Sequence, residues 1–469
     1  MESPDLINKK WMICTITSFI GCFFLVLCLD HVRRHGLGVV SLGDIDTSES
    51  FFSSLGVKST KLISASPPTV VKTSPPPPSP PPSPPPSPPA IAKVELPNPS
   101  DVIESEVVEV ELSPPPPPPP PSPPPPPPKC DVFSGRWVYD EAAYPLYHAW
   151  QCPFLSDQVS CQKNGRPDSG YEHWRWEPFD CKLPRFDGKD MLERMRGKRV
   201  VIAGDSLNRN QWESLTCLLY SVLPPSRAFV KAGSSEHKIF KALDYGFTLE
   251  FFWSPFLINF YAKQGEKTVL KLEEISPMAP AWRNADIMVF NTGHWWTHRG
   301  KFRKWDYMEY KGKMIENIET DVAYRLALRT WAKWIDGNVD PARTAVFFRS
   351  ISPEHKPQNH HWCYNQTQPI SDEPYIPSFP GSLIDIAKTT IKDMKTAVKY
   401  LNITHLSEYR RDGHTSVYTV RQGKLLTQEQ RLQPQNYADC SHWCLPGLPD
   451  TWNSLIYASA VLHKPGILL

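Results

Sequence analysis

Apolar runs rich in β-branched and aromatic residues recur along the chain from residue 199 onward, with amphipathic stretches between them. The runs are RVVIAG at 199–204, IMVFNTG at Ile287–Gly293, TAVFFRSIS at Thr344–Ser352 and the weaker KYLNIT at 399–404. The stretches between them, NQWESLTCLLYSVL (210–223), DVAYRLALRTWAKWIDGNV (321–339) and SLIDIAKTTIKDMKTAVKY (382–400), repeat apolar residues every three to four positions and predict helices. Strands alternating with helices predict one α/β domain over 130–469, built on a parallel sheet flanked by helices. No internal repeat is visible.

The first 129 residues follow other patterns. Residues 11–29, WMICTITSFIGCFFLVLCL, carry no charge and are long enough to cross a bilayer as a helix. A cleaved signal peptide competes, but no small-x-small site follows, so the reading is a transmembrane signal anchor after a cytosolic tail of residues 1–10. Residues 30–129 hold two proline blocks, SPPPPSPPPSPPPSPP and SPPPPPPPPSPPPPPP, separated by the acidic VELPNPSDVIESEVVEVEL. A packed core does not tolerate such runs, so this segment is expected to be a disordered stem. Polyproline II rises about 3.1 Å per residue, which gives the stem a reach on the order of 100–200 Å.

Composition narrows the partners and the compartment. A net charge of +2, with no basic helix and no RNA-binding aromatic motif, argues against nucleic acid. Positive charge flanks the apolar span on both sides (Lys9-Lys10, Arg33-Arg34), so charge alone does not orient it. Cysteines do. Eight lie beyond the stem, at Cys130, Cys152, Cys161, Cys181, Cys217, Cys363, Cys440 and Cys444. An even set scattered over a large domain predicts four disulfides and an oxidising compartment, with the pairing open. Two glycosylation triplets, at Asn365 and Asn402, agree with that side of the membrane. The expected topology is single-pass type II, with the large domain lumenal.

The chemistry begins where the first strand stops on Gly204-Asp205-Ser206. Such residues also suit an ordinary turn and helix cap. The functional reading is that a strand, a tight turn and a helix hold a serine hydroxyl at the carboxyl edge of the sheet, where backbone N–H groups at the helix start can stabilise an oxyanion. A base is available in YADCSHWCLPGLPDTWNSL. Asp439 and His442 stand three apart, a spacing that in a helical turn puts the carboxylate beside the imidazole. Cys440, His442 and Cys444 also alternate like ligands, but the spacing departs from common zinc sites and disulfides are favoured in this compartment, so no metal is expected.

GDSLNRNQWESL together with DCSHWCLPGLPDTWN resembles the paired GDS and DxxH signatures of the plant trichome birefringence-like proteins, polysaccharide O-acetyltransferases related to the GDSL/SGNH esterases. The likeness runs across about 340 residues (from Lys129 to Leu469), through KCDVFSGRWVYDE, QCPF, CQKNGRPD, YEHWRWEP and CKLPRFD to FNTGHWW, WAKWIDGNVDP and SPEH. It implies an SGNH-like fold in which Ser206 takes an acetyl group while Asp439 and His442 assist, and in which His442 deprotonates first the serine and then a sugar hydroxyl. The oxyanion would lie against the Ser206 N–H and donors near Gly204 and Asp205. A gapless overlay of NTGH on the GxND block of SGNH esterases puts Gly293 where those enzymes carry asparagine, so Asn291 and Arg209 become the alternative donors. Arg209 has a competing role as an i,i+4 partner of Glu213.

Trp295 and Trp296 are candidates for an acceptor groove, since sugar rings stack on aromatics; the competing reading makes them, with Trp174 and Trp176, core residues. The segment from Tyr409 to Asn453 is similar to that of family members that acetylate xylan. The resemblance thus implies a Golgi-membrane enzyme with a wall-polysaccharide acceptor, no bound cofactor, and an acetyl donor whose identity stays open, with acetyl-CoA-derived groups supplied by a membrane protein as one route. Two other functions use the same features: a wall-binding or bridging protein tethered by the stem, and an acetyl esterase acting on pectin or another wall polysaccharide.

Overall fold

Along the strand at 199–204, Val200 and Ile202 enter one apolar cluster and Val201 and Ala203 another. Met288 and Phe290 likewise separate from Ile287 and Val289, as alternate side chains of a strand buried on both faces must. The computed structural model describes residues 130–469 apart from 235, 262–266, 359–360, 372–378, 462–466 and 469. The expected tail, anchor and stem lie outside the described residues. Among those described, no helix is long and apolar enough to cross a membrane.

The central sheet has seven strands, numbered along the chain: β1 Arg199–Gly204, β2 Ala228–Ser234, β3 His237–Ala242, β4 Phe247–Trp253, β5 Ile287–Phe290, β6 Ala345–Arg349 and β7 Val398–Leu401. Their spatial order is β7-β6-β5-β1-β4-β3-β2. The five from β7 to β4 are parallel, and β3 and β2 add on antiparallel. The expected parallel sheet is therefore five strands of a mixed one, extended at one side by the antiparallel β3 and β2. The hairpin was not legible because strands β2 and β3 face solvent along much of their length and lack a continuous apolar run.

Four long helices cover the two faces: α1 Ser206–Tyr220, α2 Thr320–Asn338, α3 Gly381–Lys392 and α4 Leu448–Ile456. Trp212, Leu215, Leu218 and Leu219 of α1 and Trp452, Leu455 and Ile456 of α4 pack on one face; Trp331 and Ile335 of α2 and Leu383 and Ile386 of α3 pack on the other. The helix expected over 382–400 stops at Lys392, and Val398–Leu401 form the edge strand β7. A second, four-stranded sheet (258–261, 269–275, 307–310 and 313–315), which the sequence pattern did not announce, lies beside α2, where Thr330 Oγ1 donates to the Leu272 carbonyl at 2.7 Å.

Three disulfides are formed among the described residues: Cys152–Cys217, Cys161–Cys444 and Cys363–Cys440. Cys181 is disulfide-bonded as well, and the Cys130 side chain lies outside the described residues. Cys161–Cys444 joins positions 283 residues apart, so it removes much freedom from the unfolded chain. Replacing both by alanine is expected to lower unfolding stability by about 2–5 kcal/mol, measured by urea denaturation against the unaltered chain.

Candidate functional site

The chain leaves β1 toward β2, β3 and β4 on one side and then crosses to β5 on the other. The carboxyl end of β1 is thus a topological switch point, the place where open α/β sheets leave a crevice. Gly204 ends the strand there because no other residue fits: a Cβ would sit 1.9 Å from Asn291 Oδ1 and 2.8 Å from its carbonyl oxygen. Asp205 then caps α1, accepting the Leu207 N–H at 2.9 Å, and Ser206 is the first helical residue. Its N–H has no acceptor within the helix, as for any residue at that position. Ser206 itself is half-buried, between fully buried neighbours.

The turn is braced from below. Asn208 donates to the Ala203 carbonyl at 2.9 Å and to the Val289 carbonyl at 3.3 Å, tying α1 to the ends of β1 and β5. Its Oδ1 accepts from Arg349 Nε at 2.9 Å. Arg349 is fully buried over the Trp452 ring, and burial lowers its pKa to about 10 against the opposing pull of Asp205. Asp205 is fully buried too. Burial pushes its carboxyl up, but the His294 imidazole 3.6 Å away, the Arg349 charge and the Asn291 amide outweigh that and hold it at about 2.

Asp439 and His442 lie on a short strand, Asp439–Trp443, not in the helical turn expected from their spacing. Residues three apart on a regular strand face opposite ways. Here the pairing with His414–Ser416 shifts register, with His414 opposite Trp443 and Ser416 opposite Asp439, so the longer strand bulges. Within the bulge Asp439 Oδ1 accepts the N–H groups of Ser441 (3.0 Å) and His442 (3.1 Å), and Oδ2 faces His442 Nδ1 at 2.7 Å. Burial raises the Asp439 carboxyl, yet the His442 charge, its ring hydrogen bond and the two backbone N–H groups carry it well below the usual range. The carboxylate at Nδ1 favours hydrogen on that atom, so Nε2 is the nitrogen able to accept a proton.

Helix α1 and the Asp439–Trp443 strand are tied together by a clamp. Asn210, one helical turn beyond Ser206, donates to the Trp443 carbonyl at 3.2 Å and accepts the Trp443 N–H at 2.9 Å. Gln158 adds a second link, 3.4 Å from His442 Nδ1 and accepting from Arg209. Asn210→Ala leaves two buried main-chain groups without partners. It is expected to cost about 2–4 kcal/mol and to slow any reaction needing both residues by at least about tenfold, read by denaturation and by turnover.

Other expected site residues fall elsewhere. Asn291 is buried with its amide exchanged with Asp205 (Nδ2 to Oδ1 2.9 Å, Asp205 N to Oδ1 3.2 Å), so it braces the turn and does not face a substrate. Trp295 and Trp296 are core residues, packed edge-on against Phe256 with Trp253, Trp305 and Tyr324 around them, because the chain turns inward after β5. Trp176 is buried with its indole N–H on the Val132 carbonyl, and Trp174 is half-buried. Arg209 lies 3.9 Å from Glu213 and donates to Gln158, the residue whose amide nitrogen stands 3.4 Å from His442 Nδ1. Cys440 and Cys444 are taken by disulfides, and no group of three metal-ligating side chains occurs among the described residues. Asn365 is exposed and Asn402 half-buried. A cavity of about 520 Å³ opens beside the bulged pair, with Ser416, Arg166, Tyr364, Tyr418 and Arg431 on its walls. Asn208, Asn210, Arg349 and His294 carry no signature of their own in the sequence; they stand there only as the LNRN run after GDS, the arginine of TAVFFRSIS and the histidine of NTGH.

These features define a mixed α/β domain with Ser206 at the switch point of its sheet and with the strand of the Asp439–His442 pair tied to the helix that Ser206 begins. The chain belongs to the GDSL/SGNH-like acyl-esterase family found in Pmr5 and Cas1p, whose model matches residues 183–459; the PMR5 N terminal domain matches 128–182. Similar proteins include trichome birefringence-like 3 of Arabidopsis thaliana, 42% identical over 344 residues covering 70% of this chain and 79% of that protein. Xylan O-acetyltransferase 6 of Oryza sativa subsp. japonica is 43% identical over 358 residues (70% of this chain, 62% of that protein). Xylan O-acetyltransferase 3 of the same plant is 42% identical over 355 residues (71% and 76%).

Proposed function

We propose that this protein transfers acetyl groups to hydroxyls of a plant cell-wall polysaccharide, xylan, through an acetyl-serine at Ser206. The observation that carries the reading is the Asp439–His442 pair held by Asn210 against the helix that begins with Ser206. In the first half-reaction Ser206 Oγ attacks the acetyl carbonyl of the donor as His442 Nε2 takes the serine proton. The tetrahedral oxyanion rests against the Ser206 N–H at the start of α1. It collapses with release of the donor's leaving group, which takes the proton from His442. In the second half a sugar hydroxyl attacks the acetyl-serine, gives its proton to His442, and leaves as the acetyl ester while Ser206 regains a proton. Asp439 keeps the imidazole in the tautomer with hydrogen on Nδ1 and stabilises its charged form.

The xylan acceptor is supported by relatives named for that activity, at 42–43% identity. A lumenal Golgi location, with residues 11–29 as a signal anchor, 30–129 as stem and 130–469 as the catalytic domain, accords with the disulfides and with a polysaccharide acceptor. The test incubates the full chain with an acetyl donor and a panel of xylan, mannan, xyloglucan and pectin oligosaccharides, with products read by mass spectrometry. Acetylated xylan oligomers are the expected product. Free acetate from acetylated oligomers, with no acetylated acceptor, would replace transfer by hydrolysis.

A further inference from the structure

Behind the Asp439–His442 strand lies a second pair of histidines with no part in the steps above. His355 follows β6 in the loop SPEH, and His414 opens the strand that pairs with Asp439–Trp443. Both are buried, 0% and 1% exposed, so bulk solvent does not reach either ring. Three contacts run in line: His355 Nε2 to the Glu408 carbonyl at 2.9 Å, His355 Nδ1 to His414 Nε2 at 2.7 Å, and His414 Nδ1 to the His442 carbonyl at 3.0 Å. The His414 ring also stacks on Trp443, centroids 3.7 Å apart, and the His355 N–H donates to the Cys440 carbonyl at 3.0 Å.

Counting protons along this chain gives a definite answer. A carbonyl oxygen only accepts, so His355 Nε2 and His414 Nδ1 must each carry hydrogen. A neutral imidazole has one N–H, which these outer contacts use. Two neutral rings would then oppose lone pairs at 2.7 Å, and two charged rings would oppose N–H bonds at the same distance. One additional proton satisfies all three contacts, and the short separation is that of a charge-assisted hydrogen bond.

We propose that His355 and His414 share a single proton and that this buried cationic pair is a latch that positions His442 through its backbone carbonyl. Burial lowers the pKa of both rings, that of His355 to about 3, and so opposes the shared proton itself, while the hydrogen bonds to the Glu408 and His442 carbonyls favour it. Asp439 and Glu354 face the pair with attractive charge, and His442, His361 and Arg411 with opposing charge. When the shared proton leaves, one ring must turn its only N–H inward and one carbonyl loses its donor. The latch is therefore closed below the pKa of the pair and opens as pH rises through it. Neither ring reaches the reacting atoms; both are positioning residues for the transfer reading, on which only the kinetic arm of the test rests.

The first arm is proton and nitrogen NMR of the full chain carrying ¹⁵N-histidine. A far-downfield proton coupled to two histidine nitrogens, lost on raising pH, is expected; two neutral rings at every pH where the protein is folded would overturn the proposal whether or not the protein transfers acetyl groups. The second arm compares His355→Gln with His355→Met. The glutamine amide brings two N–H donors, one for His414 Nε2 and one for Glu408, and needs no charge. It should keep kcat within about tenfold of the unaltered chain while losing the alkaline fall in kcat that the pair causes. His355→Met should lose more than about tenfold in kcat with KM for the acceptor unchanged. An unchanged kcat and pH profile in His355→Met, or an equal loss in a folded His355→Gln, sinks the latch; if neither variant folds, the resonance decides.

Discussion

Ser206→Ala is expected to give a folded chain with no measurable acetyl transfer. The side chain is half-buried at the first position of α1, and the turn is held by others: Asp205 caps the helix, Asn208 ties it to β1 and β5, and Gly204 makes the close approach to Asn291. Removing one hydroxyl there should change unfolding stability by no more than about 1 kcal/mol. The covalent step has no substitute atom. In a serine protease with the same division of labour, loss of the nucleophile costs on the order of 10⁶ in kcat. Mass mapping should find one acetyl group on the peptide containing Ser206 after brief exposure of the unaltered chain to donor, and none in the variant. Appreciable transfer by a Ser206→Ala chain would remove the acetyl-serine from the mechanism.

The parts legible in sequence were those set by local pattern. β1, β5 and β6 announced themselves because strands buried on both faces read as unbroken apolar runs, and α1 and α2 because one face of each is apolar. Strands β2 and β3 did not, since lysines, a glycine and a serine break their apolar pattern and their pairing depends on β4. The DxxH spacing alone predicts a helical turn. The same two side chains meet through a bulge that exists only because His414–Ser416 pairs alongside, a partner 23 residues or more away in sequence.

The roles of Asn291 and the Trp295–Trp296 pair illustrate the same limit. A polar residue and two aromatics just past a strand end suggest a site, and the chemistry of the side chains is right for one. Their direction is decided by what surrounds them: Asp205 claims the Asn291 amide, and Phe256 and Trp305 enclose the indoles. The residues that brace the site, Asn208, Asn210 and Arg349, act through main-chain carbonyls and a buried amide. No spacing rule marks such contacts, because the partners lie up to 233 positions apart.

Asp439→Asn should separate catalysis from binding. The asparagine oxygen can still accept the Ser441 and His442 N–H groups now on Oδ1, so the bulge keeps its shape. At Oδ2, 2.7 Å from His442 Nδ1, the amide presents N–H where a carboxylate stood. The imidazole must then accept at Nδ1 and carry its hydrogen on Nε2, the nitrogen that has to receive the serine proton. A change of this kind lowers kcat by about 10⁴ with geometry preserved. Xylan oligomers should bind the variant as they bind the unaltered chain, by calorimetry, while turnover by product mass falls by that factor. Stability offers a second readout. Asp439 titrates lower in the folded chain than in the unfolded one, so its contribution is present above the unfolded carboxyl value of about 3.9 and is lost as pH falls toward the folded one. The stability gap between the unaltered chain and Asp439→Asn should accordingly shrink on acidification, and undiminished turnover in the variant would take Asp439 out of the mechanism.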